Sequence, residues 1–240
     1  MKIGSLPVYY AVRTAFDLMF AVRGGLSVRG RENVPTGEGL LVVSNHMSHL
    51  DPPALACAVR QRRLLAMAKE ELFQHPAFGW LIAKIGAFPI RRGEADLESV
   101  KLAMSYLEAG ESMIVFPEGT RSDGVRMLHI ERGVSMLAKK TGVKVLPVGI
   151  NGTQVLMPRG AKGRWRHHVR VAIGPPFTYQ EVATGRNERE NREKFALEVQ
   201  NRIIAQCRET GLDLQPPASL SEPAGVLDAP QNVLVPEDKP

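Results

Sequence analysis

The residues best suited to chemistry are a histidine and an aspartate five positions apart. His46 follows an apolar run, residues 40–43, which predicts a buried strand, and Asp51 precedes two prolines and a second apolar run that predicts a helix. We expect Asp51 at the N-cap of that helix, with its carboxylate close to Nδ1 of His46. That contact would leave Nε2 free to act as a general base and would stabilise the imidazolium that forms.

A second polar loop follows another apolar run, residues 113–116, which predicts a second strand. The loop reads Pro117, Glu118, Gly119, Thr120 and Arg121. Ligands of α/β proteins bind at the carboxyl ends of the strands, so polar loops after two strands are typical of such a site. We therefore expect the two loops to contribute to one site.

The same residues allow other chemistry. His46, His49 and Asp51 form an H-x-x-H-x-D pattern that a metal-dependent hydrolase would use, but no partner cluster of ligands follows downstream. Ser44 or Ser48 would be the nucleophile of a thioesterase or lipase, yet the chain lacks the G-x-S-x-G elbow of that class. A non-catalytic lipid-binding module is the third alternative, because a fold does not imply an activity.

Four segments resemble, in order, the signature blocks of the glycerolipid acyltransferases. The first is N-H-M-S-H-L-D at 45–51, and the second is G-A-F-P-I-R-R-G at 86–93. The third is F-P-E-G-T-R-S at 116–122, and the fourth is V-L-P-V at 145–148. The resemblance covers about residues 28–174 and is closest to the bacterial members that acylate 1-acyl-glycerol-3-phosphate.

The resemblance implies a role for each matching position. His46 would be the catalytic base and Asp51 its partner, and Arg92 would bind the acceptor's phosphate, for which a guanidinium has bidentate geometry. The further substrate-binding positions would be Glu118, Gly119, Thr120 and Arg121. Support for the site would come from Asn45, Ser48 and Pro147; Asn45 and Ser48 either hold the turn or donate to the oxyanion. The chain departs from the family at Arg91, where an acid is common.

The activity implied is transfer of a fatty acyl group from a thioester, acyl-CoA or acyl-carrier protein, to the free hydroxyl of 1-acyl-glycerol-3-phosphate. The product would be phosphatidic acid. Neither a cofactor nor a metal is expected beyond the thioester donor. Another lysophospholipid, or glycerol-3-phosphate, is the alternative acceptor.

Charge points to an anionic partner. The 240 residues carry a net charge of +6, and the last 30 contain five acids and one base, so the body before them is more basic still. Aromatic residues make up only 6% of the chain and no nucleic-acid motif occurs, which disfavours nucleic acid and favours a membrane surface with anionic lipid.

The opening segment predicts an amphipathic helix. Residues Val8, Val12, Phe16 and Met19 fall on one face, while Arg13 and Asp17 fall on the other and disfavour a bilayer-spanning helix. We expect the apolar face to lie in the membrane interface, giving a peripheral protein on the cytoplasmic face. Packing of this helix on the protein core is the alternative.

Strand and helix patterns alternate from residue 40 to residue 150. This alternation predicts an α/β fold with a largely parallel central sheet and helices on both faces. Pro147 would be unusual in a central strand and favours an edge, a bulge or a binding surface. We predict three parts: a membrane-interface helix at 1–25, one acyltransferase domain at 26–210, and a disordered Pro-rich tail at 211–240.

Overall fold

The computed structural model of the protein describes residues 4–90 and 97–217. Within these residues one sheet of seven strands is present. The strands are β1 (Leu26–Arg29), β2 (Leu40–Ser44), β3 (Leu64–Lys69), β4 (Ala87–Ile90), β5 (Ser112–Val115), β6 (Lys144–Asn151) and β7 (Val169–Ile173). Their order across the sheet is β1, β7, β6, β2, β5, β3, β4.

The sheet is largely parallel, as the sequence predicts. Strands β2 to β6 run in one direction, with Val42 of β2 paired to Ile114 of β5 on one side and to Leu146 of β6 on the other. Strand β7 pairs antiparallel to β6, and β1 pairs parallel to β7. This reversal is an addition to the predicted architecture.

Helices cover both faces of the sheet. They are α1 (Leu6–Val22), α2 (Asp51–Ala58), α3 (Pro76–Lys84), α4 (Leu97–Glu108), α5 (Arg132–Thr141), α6 (Thr153–Leu156), α7 (Tyr179–Val182) and α8 (Glu188–Glu209). Short 3₁₀ turns lie at Arg31–Asn33 and Glu70–Gln74.

Alternation along the strands creates two buried cores. Leu41 and Val43 of β2 face the core formed with α4, α5, α7 and α8, whereas Leu40 and Val42 face the core formed with α1, α2 and α6. Successive side chains of a strand point to opposite sides, so a strand buried on both faces is apolar throughout. All five residues of β2 are buried, which places this strand at the centre of the molecule.

Pro147 lies within an interior strand rather than at an edge. It is paired with Val43 on one side, and on the other its carbonyl accepts a hydrogen bond of 2.9 Å from Gly174 N, just past the end of β7. Two residues earlier, Val145 bridges to Phe177 instead. Proline is tolerated here because its missing N–H falls where β6 changes its partner from Phe177 to β7. The ladder of hydrogen bonds is irregular at this point.

Helix α1 packs on the core, and its charged residues face inward. Arg60, two residues past the end of α2, binds Asp17 Oδ1 at 2.7 Å, and Arg13 Nη1 donates to the carbonyl of Arg60. The sequence predicts only that Arg13 and Asp17 lie on the face opposite the apolar one, and the structure turns both toward Arg60. The polar partner that draws them inward lies more than 40 positions along the chain.

The apolar face expected to enter the membrane is also in part a packing face. Phe16 and Met19 contact the core around α2, and Phe20 is only 1% exposed. The outward face instead presents Leu6, Tyr10, Leu18 and Val22, each more than 40% exposed. No helix in residues 4–90 or 97–217 combines the length and apolar composition needed to cross a membrane.

The packed part of the chain continues past the predicted boundary at residue 210. Leu214 is fully buried, and the backbone of Gln215 bonds to Val125 and Met127. The rest of the predicted tail, residues 218–240, lies outside the described residues.

The contact between β6 and α8 generates a prediction about stability. A Cβ added at Gly149 would collide with the backbone of Gln206 and Cys207, where no side chain can move aside. We expect Gly149→Ala to lower the free energy of unfolding by about 3 kcal/mol, as overpacking does. Urea unfolding followed by circular dichroism measures this.

Gly133→Ala is the matched control, because Gly133 lies in α5 with open space around its Cβ position. Alanine there should leave stability unchanged or raise it by up to about 1 kcal/mol. Equal stabilities of the two variants would contradict the close packing of β6 against α8.

Candidate active site

Three neighbouring strands deliver polar residues to one edge of the sheet. Strand β2 lies between β6 and β5, and all three are parallel, so their carboxyl ends meet. His46 follows β2, Glu118 follows β5, and Thr153 begins the short helix after β6. This edge is where ligands of such sheets bind.

His46 and Asp51 make the contact that the sequence predicts. Nδ1 of His46 lies 2.8 Å from Asp51 Oδ2. The same oxygen accepts the backbone N–H groups of Met47 and Ser48, each at 2.7 Å. Asp51 is fully buried, so these bonds compensate its loss of water.

Asp51 does not cap its own helix. It is the first residue of α2, Leu50 occupies the N-cap, and the side chain turns back to the residues that precede it. The predicted N-cap is therefore wrong. The carboxylate holds the loop that carries His46, and the two prolines after it start the helix.

The loop after β5 fixes the backbone of His46. Glu118 Oε1 accepts the His46 N–H at 2.9 Å, and the His46 carbonyl accepts the Ser122 N–H at 2.8 Å. The other oxygen of Glu118 accepts the N–H of Leu128 at 2.9 Å. Burial is the main cause that raises the pKa of Glu118 to about 7, opposed by these hydrogen bonds.

Phe116 holds one face of the imidazole. Its ring centroid lies 3.9 Å from that of His46, with the two planes 16° apart. The side chain of His46 is only 11% exposed, so a small part of the ring is accessible. Stacking and the Asp51 bond together leave the imidazole little freedom to rotate.

Asn45 and Ser48 hold the turn. The side-chain oxygen of Asn45 accepts the N–H of Ile150, and its amide donates to the Ile150 carbonyl, which extends the β2–β6 ladder. Ser48 Oγ donates to the carbonyl of Met157 and accepts the N–H of Leu50. The sequence leaves two roles open for Asn45 and Ser48, holding the turn or donating to the oxyanion. These contacts match the first role.

The remaining predicted residues lie around this centre. Gly119 has a φ of +67°, which favours glycine, and its N–H closes a turn onto Phe116. Thr120 is exposed at the tip of the loop. Arg121 lies close to His49. Partial burial is the main cause that lowers the pKa of this histidine, and the positive charge of Arg121 is the second.

Two predicted positions are not brought to the centre by the described contacts. Arg92 lies outside the described residues. Pro147 is inside β6 and contributes to the sheet.

Sequence reasoning missed Thr153. This fully buried residue donates from Oγ1 to Asp51 Oδ1 at 2.5 Å across 102 positions of sequence. The only available signal was its place directly after the glycine that ends an apolar strand.

In the part of the chain that the structure describes, the side chains that the rival chemistries need are not placed together. Ser48 donates to a backbone carbonyl, and Ser44 Oγ contacts Asn45, so neither hydroxyl is directed to His46 by the contacts described. Within residues 4–90 and 97–217 no three His, Cys, Asp or Glu side chains are grouped so that they could hold a metal ion.

The known proteins similar to this chain include two relatives that share part of its sequence. The plastid 1-acyl-sn-glycerol-3-phosphate acyltransferase LPAT1 of Arabidopsis thaliana is 35% identical over 156 residues, covering 63% of this chain and 43% of that protein. The 1-acyl-sn-glycerol-3-phosphate acyltransferase of Bacillus subtilis is 27% identical over 176 residues, or 73% and 85% of the two chains. The chain thus spans less than half the length of the plant relative.

A solved structure has the same fold. The 1-acyl-sn-glycerophosphate acyltransferase PlsC of Thermotoga maritima superposes with a TM-score of 0.66 and 30% identity, covering 84% of this chain and 80% of that one. The acyltransferase family itself matches residues 25–151, more than half of the chain and the span that holds both polar loops. The chain therefore belongs to the acyltransferase family.

Proposed function

We propose that the protein transfers a fatty acyl group from a thioester to the free hydroxyl of 1-acyl-glycerol-3-phosphate, giving phosphatidic acid. The observation that carries this proposal is the buried pair of His46 and Asp51, with Nδ1 occupied by the carboxylate. Relatives named for this reaction support the choice of acceptor. The donor is acyl-CoA or acyl-carrier protein, both anionic and both suited to a basic protein.

In the proposed mechanism His46 works through Nε2. This nitrogen takes the proton of the acceptor's hydroxyl as the oxygen attacks the thioester carbonyl. The tetrahedral intermediate collapses, the C–S bond breaks, and the thiolate leaves with the proton returned from His46. Asp51 stabilises the imidazolium between these two transfers. The acyl group moves directly to the acceptor, so no serine or cysteine nucleophile is needed.

The acceptor's phosphate requires a cation near this pair. By its position in the second block, Arg92 is the proposed phosphate-binding residue, and a guanidinium suits phosphate oxygens. Arg121, on the loop beside His49, is the proposed second contact. Arg121 follows β5, whose carboxyl end lies beside that of β2.

Glu118 has a different role in this proposal from the acceptor binding that the family resemblance implies. Both of its oxygens accept backbone N–H groups, from His46 and Leu128, and it is 3% exposed. We assign it to the shape of the loops and not to the glycerol.

The membrane is the proposed location of the acceptor and product. The outward face of α1, with Leu6, Tyr10, Leu18 and Val22, presents apolar side chains and no charged one. The end of α1 joins the loop at 157–168, where Arg23 lies 5.1 Å over the ring of Trp165, which is 70% exposed. Two signals, apolar area and positive charge, together suffice for stable attachment.

This surface adjoins the site. The loop begins at Met157, whose carbonyl holds Ser48 of the His46 turn. Four basic residues project from the loop: Arg159, Lys162, Arg164 and Arg166, all exposed. Each is worth up to about 1 kcal/mol of attraction to anionic lipid. We therefore propose a peripheral protein on the anionic cytoplasmic leaflet, with its site open at the bilayer surface.

The first prediction tests the reaction. Purified protein is given acyl-CoA or acyl-carrier protein as the donor and, as acceptors, a panel of lysolipids and glycerol-3-phosphate. Of these acceptors it should prefer 1-acyl-glycerol-3-phosphate. His46→Ala should lower kcat at least about 10³-fold, because the base is lost. Asp51→Asn keeps the shape, because its amide oxygen can accept from His46 and from the backbone N–H groups of Met47 and Ser48. It should still lower kcat about 10²-fold or more, because the negative charge is lost.

His75→Ala is the matched control, because His75 is exposed on another loop. It should keep wild-type turnover. Near-normal turnover of His46→Ala would contradict the assignment of His46 as the base. Preference for a different acceptor would contradict the proposed substrate.

The second prediction concerns Glu118 and pH. Its pKa rises from 4.5 to about 7 on folding, so the folded state binds the extra proton in that window. The contribution of Glu118 to stability is therefore full below pH 4.5 and lost as pH rises through about 7. The stability advantage of wild type over Glu118→Gln should fall by up to about 3 kcal/mol across this window.

Urea unfolding of both proteins from pH 5 to pH 8 measures this difference, in which other titrating groups cancel. A difference that does not change with pH would show that Glu118 keeps its ordinary pKa in the folded protein.

The third prediction tests the membrane surface. Leu18→Glu should weaken binding to vesicles containing an anionic phospholipid at least about ten-fold, because Leu18 is 66% exposed on the inserting face. Flotation of vesicles with and without the anionic lipid measures it, and wild type should bind the neutral vesicles less.

Leu197→Glu is the control, since Leu197 is 54% exposed on α8, across the sheet from α1. It adds the same charge and should leave binding unchanged. Equal loss in both variants would place the contact surface elsewhere.

A further inference from the structure

Thr153 is the fully buried side chain at the site that neither polar loop supplies. It is the first residue of α6, after Gly152 at the end of β6. Gly152 has a φ of +100°, and an added Cβ would lie 2.5 Å from the carbonyl oxygen of His168. This glycine lets the chain turn sharply, so that Thr153 reaches α2 from the neighbouring strand.

The two oxygens of Asp51 have different partners. Oδ2 receives His46 and the backbone N–H groups of Met47 and Ser48. Oδ1 receives the hydroxyl of Thr153 at 2.5 Å. Rotation about the Cβ–Cγ bond moves both oxygens of a carboxylate. The bond from Thr153 to Oδ1 therefore adds a restraint, from the opposite side, on the plane of the carboxylate and on the direction in which Oδ2 meets His46.

We propose that Thr153 is a positioning residue for acyl transfer, which acts by fixing the plane of the Asp51 carboxylate and so the orientation of His46. This inference rests on the proposed function. Thr153 touches neither acceptor nor donor in this assignment. Its loss should therefore lower kcat and leave the binding of the acceptor unchanged.

The test compares three variants with wild type. Thr153→Val keeps the shape and removes the hydroxyl, and Thr153→Ser restores it. Thr210→Val is the matched control, because Thr210 is 3% exposed and its hydroxyl donates to the Cys207 carbonyl at 2.6 Å, away from Asp51. Thr153→Val should lower kcat about ten- to a hundred-fold, with KM for the lysolipid within about two-fold of wild type.

Thr153→Ser should recover kcat to within about five-fold of wild type, and Thr210→Val should keep it. A kcat of Thr153→Val no lower than that of Thr210→Val, or no recovery with serine, overturns the proposal. A rise in KM without a fall in kcat also overturns it.

A second readout does not depend on activity. In protein labelled with ¹⁵N-histidine, the Nδ1 proton of His46, assigned with His46→Ala, reports the bond to Asp51. Its signal should move or exchange faster in Thr153→Val and stay in Thr153→Ser and Thr210→Val. An unchanged signal in folded Thr153→Val overturns the positioning role. Absence of acyl transfer by wild type, with the signal responding as expected, instead overturns the proposed reaction.

Discussion

A single buried carboxylate organises the site. Asp51 is fully removed from water, yet it accepts four hydrogen bonds, from the imidazole of His46, two backbone N–H groups and a threonine hydroxyl. A buried charge is tolerated only when its oxygens are satisfied in this way. These hydrogen bonds hold the loop that carries His46 around the buried carboxylate.

Three parallel strands keep that arrangement in place. Asn45 joins the end of β2 to β6 through the oxygen and the nitrogen of its side-chain amide, and Glu118 joins it to the loop after β5. These contacts are made to backbone atoms, whose positions are set by the sheet. Orientation of a base before substrate binds removes reorganisation from the chemical step. The sheet thus restrains the position of the His46 imidazole through these contacts.

Much of this follows from local sequence, and the rest depends on contacts distant along the chain. The apolar runs predicted β2 and β5, and the spacing of His46 and Asp51 predicted their contact, because both depend on neighbours within a few positions. The orientation of Glu118, the contribution of Thr153 and the antiparallel β7 depend on which strands become neighbours. The inward turn of Arg13 and Asp17 had the same cause, since Arg60 supplies the partner.

The long sequence separations within the site have a consequence for how the activity arises. The contacts of His46, Asp51 and Asn45 with the other two strands span 72 to 105 positions of the chain. Contacts so distant form late, because the intervening loops must close first. No fragment that ends before residue 153 can contain the complete arrangement. During synthesis the complete arrangement therefore forms only after most of the domain has emerged, so full turnover in the proposed reaction reports a completed fold.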